Sequence, residues 1–345
     1  MRPRLPSDWI LPSDWRCVRT IDAHTAGEPL RVLVDGPAIP GETIAEKRRF
    51  AQQNHDSLRS VLMWEPRGHA DMYGCILTEP VTADADFGAL FLHNEGWSTM
   101  CGHGIIAVTK VALETGLLPM SPPETDVRID TPAGLVTATA RIENGRVSSV
   151  RFANVPSYVV SLDETAEVPG IGRVRYDVAF GGAYYAYVDA GDFGLRCVPS
   201  EVDRLIDVGM RIKRAVAEAT EIAHPIDASL GFLYGTIFVG PALSDGADSR
   251  NVCVFAEGEV DRSPTGTGVS GRLALHYARG EIGLGETHTV ESIIGTRFAG
   301  RALEETTFGK HAAIVPEVEG TAHITGSHTF WIDPEDPLAG GFLVR

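Results

Sequence analysis

Two short stretches of the chain set a residue able to do proton chemistry beside a pair of glycines. They are Met100-Cys101-Gly102-His103-Gly104 and Asp261-Arg262-Ser263-Pro264-Thr265-Gly266-Thr267-Gly268. A cysteine just ahead of a helix N-terminus meets unpaired backbone N–H groups and the positive end of the helix dipole, and both favour thiolate over thiol. Cys101 is therefore the candidate base, and it is expected to be the most reactive of the five cysteines. The plainer reading is a buried structural thiol, which would not need flanking glycines. Thr265 holds the matching place in the second stretch. Read alone it is equally well an N-cap threonine; its pairing with Cys101 argues for a place in a site.

Two helix N-termini facing one cleft make a carboxylate site. The N–H groups of Gly102 and His103 on one side, and of Gly266 and Thr267 on the other, can hold an anion without a cationic side chain. A carboxylate bound this way gains negative charge when its α-carbon is deprotonated, so the same donors stabilise the transition state. Asp261 is an acid within reach of an amine, and His103 can assist. Against these stand a solvated loop acid and a turn histidine.

The same glycines invite a nicotinamide reading, since "GTGVSG" fits GxGxxG and "GHGIIA" fits its GxGxxA variant. A dinucleotide fold wants the first glycine at the end of a strand and an acid closing the next strand about 20 residues on. Here Glu257 to Pro264 intervene after the strand-like "NVCVFA", and Glu286 precedes its strand instead of ending it. No nucleotide cofactor follows.

The elements that carry these residues form an internal repeat. Cys101 and Gly116 lie 15 positions apart, as do Thr265 and Gly280, with a mostly apolar helical run between. The closing glycines suit helix C-termini, where positive φ is needed. Ile105 to Leu113 is apolar over most of its circumference, the mark of a helix enclosed by protein. Strand-like segments follow each helix, "VRIDTPAGLVTATARI" and "HTVESIIGTRFAGRAL". Amphipathic helices precede each, one introduced by a capping box from Thr43 to Glu46, the other by Ser200 with Asp203. The expected fold is α/β (α+β): two similar units, each a mostly antiparallel sheet wrapped around one central helix. The chain is expected to cross between them near residue 152, giving units of 1–152 and 153–324.

At 345 residues with 43% hydrophobic and 22% charged content, the chain reads as an ordinary globular protein of two domains. Its formal charge of −16 argues against nucleic acid. The odd, scattered cysteines give neither a disulfide framework nor a zinc pattern. No run approaches the roughly 20 apolar residues of a membrane span, and prolines interrupt the start where a signal peptide needs an apolar stretch. A cytoplasmic location is expected. The doubled "LPSDW" at 5–9 and 11–15 reads as a short duplication without catalytic meaning.

With "MCGHG" and "DRSPTGTGVSG" together, the sequence resembles the proline racemase family, of diaminopimelate-epimerase-like fold. Further matches are "DAHTAGEPLRV", "PRGHADMYG", "FGGAYYAYVDA" and "GSHTFWIDPEDPL". The resemblance spans about residue 18 to the end. It implies two pseudo-symmetric domains, with the chain at about 325–345 returning to the first. Racemases and epimerases of this family carry a cysteine in each motif; this chain has Cys101 in the first and Thr265 in the second. That resembles the branch which dehydrates trans-3-hydroxy-L-proline without a cofactor or metal. Carried over, Cys101 would abstract the Cα proton, and Thr265 would meet the 3-hydroxyl or a water beside it. Gly102, His103, Asp261, Gly266 and Thr267 would bind the carboxylate and ring amine. The partner implied is a small imino acid, with a homodimer as the expected assembly. A racemase or 4-hydroxyproline epimerase, and a non-catalytic imino-acid-binding protein, are the other readings.

Overall fold

The computed structural model describes residues 10–226 and 228–344. Its elements follow one order twice. In the first half, strands Arg16–Thr25 and Glu28–Leu33 form an antiparallel hairpin. The two turn residues, Ala26 (φ 52°) and Gly27 (φ 98°), are both at positive φ, which matches the twist of a tight hairpin. Helices α1 (Ile44–Asn54) and α2 (Asp56–Met63) lead to strand Tyr73–Thr78, parallel to Glu28–Leu33. Strand Phe87–His93 returns antiparallel, and helix α3 (Gly102–Glu114) follows. Strands Glu124–Thr131, Gly134–Glu143 and Arg146–Ala153 then form a meander that starts parallel to Phe87–His93.

The second half runs the same course. Strands Gly172–Phe180 and Tyr184–Asp189 are antiparallel neighbours. Helix α4 (Val202–Ala219) leads to Leu233–Gly240, parallel to Tyr184–Asp189, and Ser249–Phe255 returns antiparallel. Helix α5 (Gly266–Ala278) precedes a meander of Thr287–Glu291, Arg297–Phe308 and His311–Gly320, again starting with a parallel step. Each half has one more strand outside its first pair. In the second it is Tyr158–Val168, beside Gly172–Phe180. In the first it is the late strand Ala322–Ile332, beside Arg16–Thr25. The meanders meet where His311–Gly320 pairs with Arg146–Ala153, so the two wraps share one continuous sheet instead of forming two separate ones.

The apolar cores follow from this wrapping. Every residue from Gly102 to Leu113 is buried, as the apolar circumference of that segment requires. Ile105, Ile106 and Phe152 around α3 belong to the same cluster as Val269, Leu273 and Phe298 around α5. Helices α1 and α2 cover the first sheet from outside through Ala51, Leu58 and Leu62 against Leu90 and Leu92. Helix α4 covers the second through Leu205, Ile212 and Val216 against Phe238 and Val254.

The local signals fared unevenly. Glu46 N–H donates to Thr43 Oγ1 (3.2 Å) and Thr43 N–H donates to Glu46 Oε2 (3.3 Å), completing the capping box of α1. Gly116 (φ 80°) and Gly280 (φ 70°) follow the two central helices in the left-handed conformation. Ser200 does not cap α4. It lies in a 3₁₀ turn, Pro199–Glu201, and the cap residue is Glu201, which makes no side-chain cap bond. Proline at the start of that turn sets φ for a tighter helix one step before the α-helix begins. Among the described residues no helix is long and apolar enough to cross a membrane. The first "LPSDW" copy lies outside the described residues; in the second, Trp15 N–H donates to Pro12 O (3.1 Å), closing a turn.

Candidate active site

The N-termini of α3 and α5 abut. A Cβ built on Gly102 would lie 3.0 Å from the Gly266 Cα, and one on Gly266 would lie 3.1 Å from the Gly102 Cα. Any side chain at either place would push the helices apart. Both ends open onto one cavity of about 220 Å³, lined by Cys101, Gly102, His103, Asp261, Thr265, Gly266 and Thr267. All seven residues singled out by the sequence are thus brought together. The N–H groups of Gly102, His103, Gly266 and Thr267 lie in first turns, where no carbonyl four residues earlier within the helix is available to them.

Cys101 caps α3, and its Sγ accepts from Gly104 N–H (3.2 Å). The His103 ring nitrogens lie 3.3 and 3.5 Å from that sulfur. Burial pushes the thiol well up from its ordinary value; the Gly104 bond opposes this, while Asp261 and Glu28 add to it. The pull of the helix end toward thiolate is therefore opposed in the free protein, where desolvation of the charge outweighs the Gly104 N–H. Cys17 is the exposed thiol and Cys101 is buried, so a reagent in bulk solvent meets Cys17 first. A cation beside Asp261, such as a substrate ammonium, would swing the balance back toward thiolate. Burial holds His103 neutral, with a pKa of about 3, while its ring bonds the Pro29 backbone. A neutral imidazole keeps its second nitrogen as an acceptor.

Thr265 stands first on α5, yet it is not the N-cap threonine of the plainer reading. Its backbone is at φ 67° and ψ 95°, its side chain makes no cap bond, and its buried Oγ1 makes no well-formed hydrogen bond among the described residues, although it lies close enough to Asp261 and Cys253 to favour their charged forms. Positive φ is rare for a β-branched residue. A chain of bonds holds it there: Ser263 N–H donates to Asp261 Oδ1 (2.7 Å) and Thr265 N–H to Ser263 Oγ (3.1 Å). A buried hydroxyl without a well-formed partner, in a strained residue beside a cavity, is free to turn toward a ligand. Burial raises the Asp261 carboxyl to about 6, with the Ser263 bonds pulling the other way.

A family model described as proline racemase matches residues 20–343. The chain belongs to the proline racemase family. A Colwellia psychrerythraea protein named trans-3-hydroxy-L-proline dehydratase is 49% identical over 95% of this chain and 93% of its own. A Burkholderia multivorans protein named 3-hydroxyproline 2-epimerase is 46% identical over 96% of this chain and 99% of its own. The crystal structure of a hydroxyproline epimerase from Agrobacterium vitis with bound trans-4-hydroxy-L-proline aligns with a TM-score of 0.89. It is 33% identical, with 96% of each chain covered.

In this member of the proline racemase family, several cavity residues escaped the sequence reading. Glu28, Arg48, Tyr73, His93, Tyr185, Tyr234 and Cys253 all line it. Tyr185 fixes Thr267 through a hydroxyl contact of 2.7 Å. Gly181 lets its strand press on α5, since a Cβ there would meet Thr267 O at 2.2 Å. Arg262, the one cation within either glycine turn, is engaged elsewhere, 3.2 Å from Asp71 and 3.8 Å from Glu28. Glu28, Tyr73 and Tyr185 lie within motifs already noticed. Which face of a strand meets a cavity is set by pairing, however, and a local motif does not reveal it.

Proposed function

We propose that the protein dehydrates trans-3-hydroxy-L-proline to Δ1-pyrroline-2-carboxylate. The observation that carries this is the unlike pair at the two helix ends, a thiol at 101 and an alcohol at 265. Inverting a stereocentre needs a base on one face of the α-carbon and an acid on the other, and threonine is a poor acid or base near neutrality. Eliminating water needs one base at Cα. The names of the Colwellia psychrerythraea and other relatives support the same reaction.

In this reading the substrate carboxylate sits on the N–H groups of Gly102, His103, Gly266 and Thr267, and the ring ammonium sits beside Asp261. The ammonium supplies the positive charge that lets Cys101 ionise, and Cys101 takes the Cα proton. The helix-end donors hold the charge that develops on the carboxylate. Loss of the 3-hydroxyl as water leaves an enamine, which tautomerises to the cyclic imine. The reading takes one small imino acid as partner, no cofactor, and a cytoplasmic setting.

The test is incubation with trans-3-hydroxy-L-proline in the presence of an imine-trapping aromatic aldehyde, with chiral separation of the remaining substrate. Adduct formation without C2 inversion is expected. Inversion without adduct would replace dehydration by epimerisation.

A further inference from the structure

Elimination from trans-3-hydroxy-L-proline has a fixed stereochemistry. The 3-hydroxyl is trans to the carboxylate, so it lies on the same ring face as the C2 hydrogen. The base that takes that hydrogen and the acid that assists the hydroxyl must therefore work from one side. In the dehydration reading Thr265, at the equivalent place on the other helix, would face the opposite side of the ring and would be poorly placed to protonate the leaving hydroxyl.

We propose that Glu28 is the acid that hands a proton to the departing hydroxyl, an inference that rests on the dehydration reading above. Glu28 opens its strand immediately after the Ala26–Gly27 turn, in the same half as Cys101, and lines the same cavity. It is fully buried. Its Oε2 accepts from Arg262 N–H (2.7 Å), while its Oε1 is buried without a hydrogen-bond partner among the described residues. A carboxylate buried on one hydrogen bond, with the Arg262 guanidinium 3.8 Å away, is costly, whereas a carboxylic acid in that place has an O–H to give.

The charged groups around it favour the acid. Burial raises Glu28 well above the ordinary carboxylate range, followed by the charge of Asp261 and, more weakly, of Asp71; Arg262 opposes them. A thiolate at Cys101 adds a further negative charge nearby. The other cavity groups are poorer candidates. Asp261 is assigned to the ring ammonium, Glu95 is exposed, and Tyr185 is bonded to Thr267.

The step balances. The C2–H bond breaks and its proton goes to the Cys101 sulfur, while the C2–C3 double bond forms. The C3–O bond breaks, the oxygen takes the Glu28 proton, and water leaves. The thiol then returns its proton to the Glu28 carboxylate after product departs. The enamine gains a proton at C3 and loses one from nitrogen in becoming the imine.

Glu28→Gln keeps an oxygen for the Arg262 N–H and removes the acid. On trans-3-hydroxy-L-proline its kcat should fall about 10²-fold or more. Exchange of the C2 hydrogen of trans-4-hydroxy-L-proline with deuterium oxide should persist. trans-3-Chloro-L-proline, whose chloride leaves without a proton, should be consumed at close to the wild-type rate. Unchanged dehydration would assign the proton to Cys101 itself and overturn the proposal. Equal losses on hydroxy and chloro substrates would overturn it too, as would loss of exchange in both Glu28→Gln and Glu28→Asp. A wild-type protein that exchanges the C2 hydrogen and releases no water would instead reject the dehydration reading, whatever Glu28 does.

Discussion

Gly102 and Gly266 touch backbone to backbone at the point where two helices begin, with room for a hydrogen atom and nothing larger. The contact fixes the spacing of the two sets of N–H donors. Gly102→Ala should lower the melting temperature, because overpacking of this kind costs about 1–3 kcal/mol. It should also weaken binding of pyrrole-2-carboxylate, whose planar α-carbon imitates the deprotonated substrate. Calorimetric titration showing unaltered affinity would disconnect this contact from the anion site.

Cys101→Ser should abolish both C2 deuterium exchange and water loss, since an alcohol is a far weaker base near neutral pH. Iodoacetamide should alkylate Cys17 first in the free protein, because Cys17 is the exposed thiol and burial holds Cys101 as the neutral form. Peptide mapping by mass spectrometry reads the order of modification. Fastest labelling at Cys101 without ligand would contradict the burial argument.

Thr265→Cys should add a second thiol at the equivalent helix end. That variant should begin to invert trans-4-hydroxy-L-proline at C2, whose hydroxyl is not β to the carbanion, and deuterium should appear at C2 of the inverted product. The wild-type protein should give little inversion. If the variant and wild type invert at the same rate, position 265 does not decide the outcome of the reaction.

Asp261 ties stability and activity to pH in opposite directions. Its carboxyl titrates at about 6 in the fold against an ordinary 3.8. Between those values the folded chain holds a proton that the unfolded chain has released, so this group's contribution to stability falls as pH rises from about 4 to about 6. Asp261→Asn should therefore gain melting temperature relative to wild type at pH 8 more than at pH 4. Wild-type kcat/KM should climb through pH 6 as the carboxylate forms to receive the ring ammonium. A melting difference independent of pH would refute the assignment.

The repeat was legible because its signals are local. Glycines at fixed offsets, a capping box at Thr43 and an apolar helix from Ile105 to Leu113 each depend on neighbours within a turn or two. What escaped depends on distant chain. Cys101 is raised by burial and, separately, by the charge of two carboxyls, one of them 160 positions away at Asp261. Glu28 meets Arg262 only because the two halves close on each other. The strained backbone at Thr265 is imposed by bonds through Ser263 and Asp261, against the preference of a β-branched residue. Ser200 carried a true capping pattern and lost to the proline beside it.

The strand Ala322–Ile332 has a consequence for how the molecule is made. It pairs with Arg16–Thr25 along ten positions, so the sheet around the thiol is closed by chain synthesised more than 200 residues after Cys101. At about 5–20 residues per second, a ribosome that has just added Cys101 needs on the order of tens of seconds to add that strand. Through that interval the nascent Arg16–Thr25 edge has no partner on one side, a surface prone to pairing with other chains. The helix carrying the thiol can form early, but its enclosure waits for the closing strand. The enclosure of the thiol therefore depends on chain made more than 200 residues after it.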